Sequence, residues 1–109
     1  MSEYLGEFEQ IVLLAIVAAW GGGLWSSHPS RIERRTDRRV SIGALYSTLD
    51  RLEAKGFVHS WFADATPQRD RRSKRYFRVL PEGTEALARS RSMLDRMWHG
   101  VELKGGFRA

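Results

Sequence analysis

The chain has no cysteine among its 109 residues, which excludes disulfides and removes the thiolates on which most structural zinc sites depend. It also lacks a long apolar run. The most hydrophobic stretch is Ile11-Val-Leu-Leu-Ala-Ile-Val-Ala-Ala-Trp20, about half of the roughly twenty residues that a membrane span needs. Glu3, Glu7 and Glu9 precede it in place of a positively charged flank, so it does not read as a signal peptide. A soluble cytoplasmic protein without membrane contact is expected. Histidine is scarce and dispersed: His28, His59 and His99 fall on different elements with no paired acid and no metal-ligand spacing. They read as surface or interface residues, and with no nucleophile motif the chain is expected to be neither an enzyme nor a holder of metal or cofactor. Acidic residues are the minority. The 13 Asp+Glu against 18 Lys+Arg give a formal net charge of +5 and a pI near 10.2, which favours a polyanionic partner such as nucleic acid or an anionic surface.

The length fits one domain with a core of modest size. A first helix is predicted over residues 5–20. Phe8, Ile11, Val12, Ala15, Ile16 and Ala19 give it a wide apolar face, Leu13, Leu14 and Val17 widen that face, and Glu7 and Glu9 stand at its positive end. So apolar a helix is buried on most sides, in the core or against a second subunit. Gly21-Gly22-Gly23 ends it. With no strand before it and no Gly-Lys-Ser/Thr after it, the triplet is a turn and not a phosphate loop. Ser26 or Ser27 suits the cap of a short second helix, with Pro29 in its first turn, Leu24, Trp25 and Ile32 as anchors, and an end near Thr36-Asp37.

The central stretch is Arg39-Arg-Val-Ser-Ile-Gly-Ala-Leu-Tyr-Ser-Thr-Leu-Asp-Arg-Leu-Glu-Ala-Lys-Gly-Phe-Val58. Ile42, Leu45, Leu49 and Leu52 recur three or four apart, the spacing of one helical stripe. Ser41 suits the N-cap and Gly56 the stop. Gly43, Ala44, Ser47 and Thr48 are left to face outward, with Arg38, Arg39, Arg51 and Lys55 around them. This is either an amphipathic helix with a solvated charged face or a helix built to approach a polyanion closely.

After Gly56 the period changes. Phe57-Val-His-Ser-Trp-Phe62 and Arg75-Tyr-Phe-Arg-Val-Leu80 read as the strands of a hairpin. The intervening Ala63 to Lys74 exceeds the usual two to five residues and carries Arg69, Arg71, Arg72 and Lys74, with Arg75 at the base. It is a solvated charge run or a basic tip that reaches a partner. Pro81-Glu-Gly-Thr opens a last helix running to His99 or Leu103, before a Gly105-Gly106 tail. Leu87, Leu94 and Val101 repeat every seven residues with Met97 and Trp98 beside them, a short seam for another helix. So small a chain has little core left to cover that seam, so dimerisation through this helix and the first is expected.

The fold class expected is mainly α with a small β-hairpin: a winged helix-turn-helix over residues 1–80, a C-terminal dimerisation helix over 81–104, and a flexible tail over 105–109. The chain resembles the PadR-type transcriptional regulators in Leu5-Gly-Glu-Phe-Glu-Gln-Ile-Val-Leu-Leu-Ala-Ile16, in the central stretch from Arg39 to Phe57, and in Thr66-Pro-Gln-Arg with Lys74-Arg-Tyr-Phe-Arg-Val-Leu-Pro-Glu-Gly83. The resemblance implies a bacterial dimeric regulator, usually a repressor, similar to the family's smaller members. The chain departs from the family with Leu24-Trp25 where a Tyr-Gly pair is common, Leu80 where a Thr often caps the last helix, and Asp70-Arg71 where glycines are common.

In such an arrangement Ser41, Gly43, Ala44, Ser47 and Thr48 approach the major groove of double-stranded DNA. Tyr46 gives its hydroxyl to a phosphate or is a half-buried core residue. Arg39 and Arg51 hold phosphates, while Arg69, Arg71, Arg72 and Lys74 reach the flanking backbone or minor groove; such contacts position without choosing sequence. A homodimer built on Leu87, Leu94, Met97, Trp98 and Val101 implies an inverted-repeat operator. Trp98 beside Met97 either stacks on a small aromatic effector between subunits or simply fills the interface. The alternative to a ligand-released, sequence-specific repressor is a basic DNA-binding or protein-adaptor module with no sequence choice.

Overall fold

The computed structural model of the chain describes residues 4–18, 25–26, 29–63 and 74–103. Helix α1 (Glu7–Ala18) is followed by strand β1 (Trp25–Ser26), helices α2 (Pro29–Thr36) and α3 (Ile42–Ala54), strands β2 (Val58–Ala63) and β3 (Lys74–Val79), and helix α4 (Pro81–Trp98). The strands form one antiparallel sheet in the order β1-β3-β2, with Trp25 opposite Phe77, and Ser60 also opposite Phe77 from the other side. The helix-helix-helix-hairpin-helix order is the winged helix-turn-helix expected from the sequence.

The sequence pattern predicts only two strands, and the structure has a third. Ser26 pairs with Tyr76 and so does not cap α2, and Trp25 is a strand residue and not a helical anchor. A strand of two residues is too short to carry the alternation by which strands are recognised, and only its pairing with β3 makes it one. Helix α2 opens directly at Pro29, where the fixed φ of proline suits a first turn. The predicted Gly21-Gly22-Gly23 turn, Leu24, Ser27 and the tail over 105–109 lie outside the described residues.

The core is formed by Val12, Leu13 and Ile16 of α1, Ile32 of α2, Leu45, Leu49 and Leu52 of α3, Val58 of β2, Phe77 of β3 and Ala86 of α4. Each fully buried Leu or Phe contributes roughly 1.5–3 kcal/mol. Two members of the predicted α3 pattern change place. Ile42 is 60 % exposed and Thr48 only 2 %, so the inward stripe is Leu45, Thr48, Leu49 and Leu52, an i, i+3, i+4, i+7 set. Ile42 begins the helix beyond the edge of the core. The polarity of Thr48 predicts an outward position, but its angular place on the helix turns it in, and its Oγ1 accepts a hydrogen bond from Arg51 Nη2 at 3.2 Å.

The ends of the helices follow their sequence signals. Ser41 Oγ accepts from the Ala44 backbone N–H at 3.0 Å, and Gly56 takes a left-handed φ of 81° just after α3, as a C-terminal stop requires. On α1, Glu9 Oε1 reaches back to accept from the Gly6 N–H at 2.9 Å, the reciprocal half of a capping box. Leu80 gives α4 no side-chain cap, as its place in a Thr position implies. Helix α4 stops at Trp98, and Gly100 turns the chain with φ 77°. Val101 therefore lies beyond the helix and does not continue the seven-residue repeat of Leu87 and Leu94, because the repeat has meaning only while the helix lasts.

Gly83 and Gly43 make opposite demands. A Cβ at Gly83 would run into the Phe57 carbonyl oxygen and sit 2.8 Å from Val79 Cγ1, whereas one at Gly43 meets nothing within 4 Å. Gly83→Ala is expected to destabilise the fold by about 1–3 kcal/mol, the usual cost of overpacking. Gly43→Ala should be neutral or stabilise by up to about 1 kcal/mol through helix propensity. Thermal melts of the two variants check this, and equal melting temperatures would contradict the packing described for α4.

Candidate nucleic-acid interface

The junction between α2 and α3 is held by its own hydrogen bonds. Asp37 N–H donates to the Glu33 carbonyl at 2.9 Å, and Asp37 adopts a left-handed φ of 57°, a conformation that Asp tolerates better than most residues. Thr36 Oγ1 donates to the Ile32 carbonyl at 2.7 Å, and Glu33 Oε2 accepts from the Val40 N–H at 2.8 Å. The turn from α2 into α3 is thus fixed by hydrogen bonds within the junction, and the outer side of α3 is exposed.

On that side Ser41, Ile42, Gly43, Ala44 and Ser47 are all exposed or half-exposed. The first turns of α3 therefore present hydroxyls, one bare backbone position and two small or branched apolar groups. Ser41 Oγ spends an acceptor position on its cap and keeps its own O–H to donate. Tyr46 packs against the core. Ile42 belongs to this outer face although the sequence pattern sends it inward, and an apolar side chain there suits contact with a thymine methyl group.

The cations divide into free and engaged. Arg39 is exposed beside Glu33, Asp37 and Arg38 around a shallow polar depression. Arg38 pairs with Glu7 at 3.1 Å and lies 5.7 Å from the centre of the Phe8 ring, an exposed pair of little energetic weight. Arg51 stands 3.8 Å from Glu9 Oε2, and Lys55 Nζ donates to the same carboxylate at 2.8 Å. Arg51 is therefore partly committed to the body of the protein. Arg69, Arg71 and Arg72 lie outside the described residues, as does the side chain of Lys74. Arg31, Arg34 and Arg35 are exposed on α2. Sequence reasoning misses them, although three arginines in an eight-residue helix with one buried anchor are a visible sign of a basic outer surface.

Helices α1 and α4 leave apolar surface uncovered. Leu94 is 46 % and Trp98 54 % exposed, with Leu14, Val17 and Met97 also exposed. Leu14, Leu87, Leu94 and Trp98 line a groove between the two helices, closed by Gln10 and Asp95. Leu87 is half-buried against the core of its own chain. Among the described residues no group of His, Asp or Glu has the arrangement of a metal site, and no helix is long and apolar enough to cross a membrane.

Residues 29–89 match the sequence model of the PadR-like family of transcriptional regulators. Over 70 residues, 62 % of this chain, the sequence is 43 % identical to a transcriptional regulator of Mycobacterium tuberculosis, and the match spans 58 % of that relative's length. The fold is similar to that of a transcriptional regulator from Clostridium thermocellum, with a TM-score of 0.67 at 21 % identity over 84 % of this chain and 82 % of that one. It is also similar to a PadR-like transcription factor from Bacteroides fragilis, with a TM-score of 0.66 at 16 % identity over 84 % of each chain.

Two carboxylates anchor the C-terminal end of α3 to the rest of the fold. Burial would push the Glu9 carboxyl up, but hydrogen bonds from Lys55 and from the Gly6 N–H and the charges of Lys55 and Arg51 outweigh it and hold the group below its ordinary value of 4.5. Glu53 behaves alike. Burial opposes ionisation, while hydrogen bonds from the Ser60 hydroxyl and N–H and from Arg75, with the Arg75 charge, more than compensate. A depressed carboxylate contributes stability that is fully present above its unfolded value and is lost as pH falls through the folded one. Stability is therefore expected to be level above about pH 5 and to fall below about pH 4.5, and the pH dependence of the denaturation midpoint should be shallower in Glu9→Gln and in Glu53→Gln. A variant with the wild-type slope would remove that residue from the account.

Proposed function

The chain belongs to the PadR-like family of transcriptional regulators, and from that membership we propose that it is a cytoplasmic DNA-binding regulator which reads an operator with α3. One observation carries this reading: apart from Ile42 the outer face of α3 is small and polar where the fold has no need of it, with open space above Gly43. Ser41, Ile42, Gly43, Ala44 and Ser47 would face base edges, since small side chains allow the helix axis to approach the major groove. Arg39, with the loop cations Arg69, Arg71, Arg72 and Lys74, would hold phosphates, and Arg51 would add its charge from the edge.

The finer reading is a homodimeric repressor released by a ligand. Exposed Leu14, Leu94, Met97 and Trp98 on adjoining sides of α1 and α4 support a second copy as the cover of that surface, since apolar patches of this kind on a small domain mark interaction sites. Trp98 in the groove supports a flat aromatic effector held between subunits. A two-fold dimer presents two α3 helices, so the operator would be an inverted repeat with half-sites a whole number of helical turns apart.

The DNA reading is tested with the duplex that the chain enriches from a random-sequence pool, against random duplex, at rising salt. Gly43→Leu should leave the melting temperature unchanged or higher and weaken binding by about tenfold or more, as a bulky side chain between helix and groove would. Ser47→Ala should mainly narrow the gap between selected and random DNA, by about 1–3 kcal/mol, the worth of one base-specific interaction. Arg39→Ala should weaken both alike with a shallower salt slope. Equal affinity for both duplexes at every salt concentration would favour a module without sequence choice. For the dimer, Leu94→Glu should convert the chain to monomer in sedimentation. Tryptophan emission should be quenched by aromatic compounds in the wild type, and no quenching there, or quenching that survives Trp98→Ala unchanged, would dismiss the effector pocket.

A further inference from the structure

By sequence Arg75 is one more cation at the base of the basic loop. In the fold its side chain is turned toward α3. It stands on β3 directly opposite Phe62 of β2, with its side chain only 22 % exposed and its guanidinium 4.9 Å from the centre of the Phe77 ring and 5.9 Å from that of Phe62. Its Nη2 donates to Glu53 Oε1 at 3.0 Å, to Asp50 Oδ1 at 3.3 Å and to Ser60 Oγ at 3.2 Å, and its Nε also reaches Ser60 Oγ at 3.2 Å. Glu53 in turn accepts from the Ser60 N–H at 3.0 Å and from its hydroxyl at 2.7 Å. Asp50 and Glu53 sit on the last turns of α3, Ser60 on β2 and Arg75 on β3.

We propose that Arg75 is a positioning residue for DNA binding: it ties both strands of the hairpin to α3, so that helix and wing meet the duplex as one rigid body. Beyond the pairing of Ser26 with Tyr76 only β2 and β3 remain in the sheet, and a two-stranded ribbon is by itself only marginally stable, so its direction depends on the groups that hold it. Acceptors on Asp50, Glu53 and Ser60 over an aromatic floor set it, and they call for the planar fork of a guanidinium, which a lysine ammonium does not supply. The same bonds occupy Arg75, so it acts on DNA through the loop it aims and not by touching a phosphate. The inference rests on the DNA-binding reading above.

The test is a double-mutant cycle between Arg75→Met and a neutralised loop, Arg69→Ala with Arg71→Ala and Arg72→Ala, read as affinity for the enriched duplex and as the slope of log affinity against log salt. Arg75→Met alone should lower affinity about tenfold and flatten the slope by about two to three, since each phosphate that the loop no longer neutralises accounts for about 0.9. In the neutralised-loop chain the same substitution should change affinity by less than about twofold and leave the slope alone. Equal reductions in both backgrounds would overturn the inference, since they would mean that Arg75 acts independently of the loop. If Arg75→Met does not reach a wild-type melting profile, Asp50→Asn with Glu53→Gln removes the acceptor charges and must give the same pattern. A wild-type chain whose duplex affinity ignores salt would instead refute the DNA reading itself, and a slope unmoved by neutralising the loop would refute the wing's part in it.

Discussion

Everything on the outer side of α3 depends on how completely its inner side leaves water. Leu45, Thr48, Leu49 and Leu52 form a continuous buried stripe that packs against α1 on one side and β2 on the other. Once that stripe is seated, the helix has no freedom to roll, and the residues a half-turn away are committed to solvent. Ser41 and Gly56 mark where the helix begins and ends. The result is a rigid rod with a bare face, held from behind.

Two carboxylates complete the mounting. Glu9 receives Lys55 and approaches Arg51 from α1, while Glu53 receives Ser60 and Arg75 from the sheet. Both engage cations that a count of basic residues would assign to a polyanion. The surplus charge available to a partner is therefore narrower than the composition implies. Among the described residues it includes Arg39 and the arginines of α2. Part of the charge builds the fold that presents the rest.

The two ends of the molecule differ in what they leave unsatisfied. Around α3 the exposed groups are polar or small except Ile42. Along α1 and α4 the exposed groups include Leu14, Leu94, Met97 and Trp98, which are large and apolar. The buried Ser90 hydroxyl accepts from the Leu5 N–H at 3.0 Å, tying the start of α1 to the middle of α4.

The sequence by itself determined the order of the four helices and the hairpin, the ends of α3, the start of α4 and the class of fold, because caps, glycines and apolar periodicity are local signals. Family-specific residues in the central stretch carried the resemblance that residues 29–89 bear out. What only the tertiary structure decided was the sorting of residues whose chemistry suits two places. Thr48 is polar and buried, Ile42 apolar and exposed, Val101 in register with a helix that has already ended, and Trp25 a strand residue by virtue of a distant partner, Phe77. Arg75 belongs with them: a cation in a basic run, it turns inward because Glu53, Asp50 and Ser60 are brought to it by folding. Spacing along a chain encodes which residues can share a face, but which face is covered depends on neighbours that only the folded chain supplies.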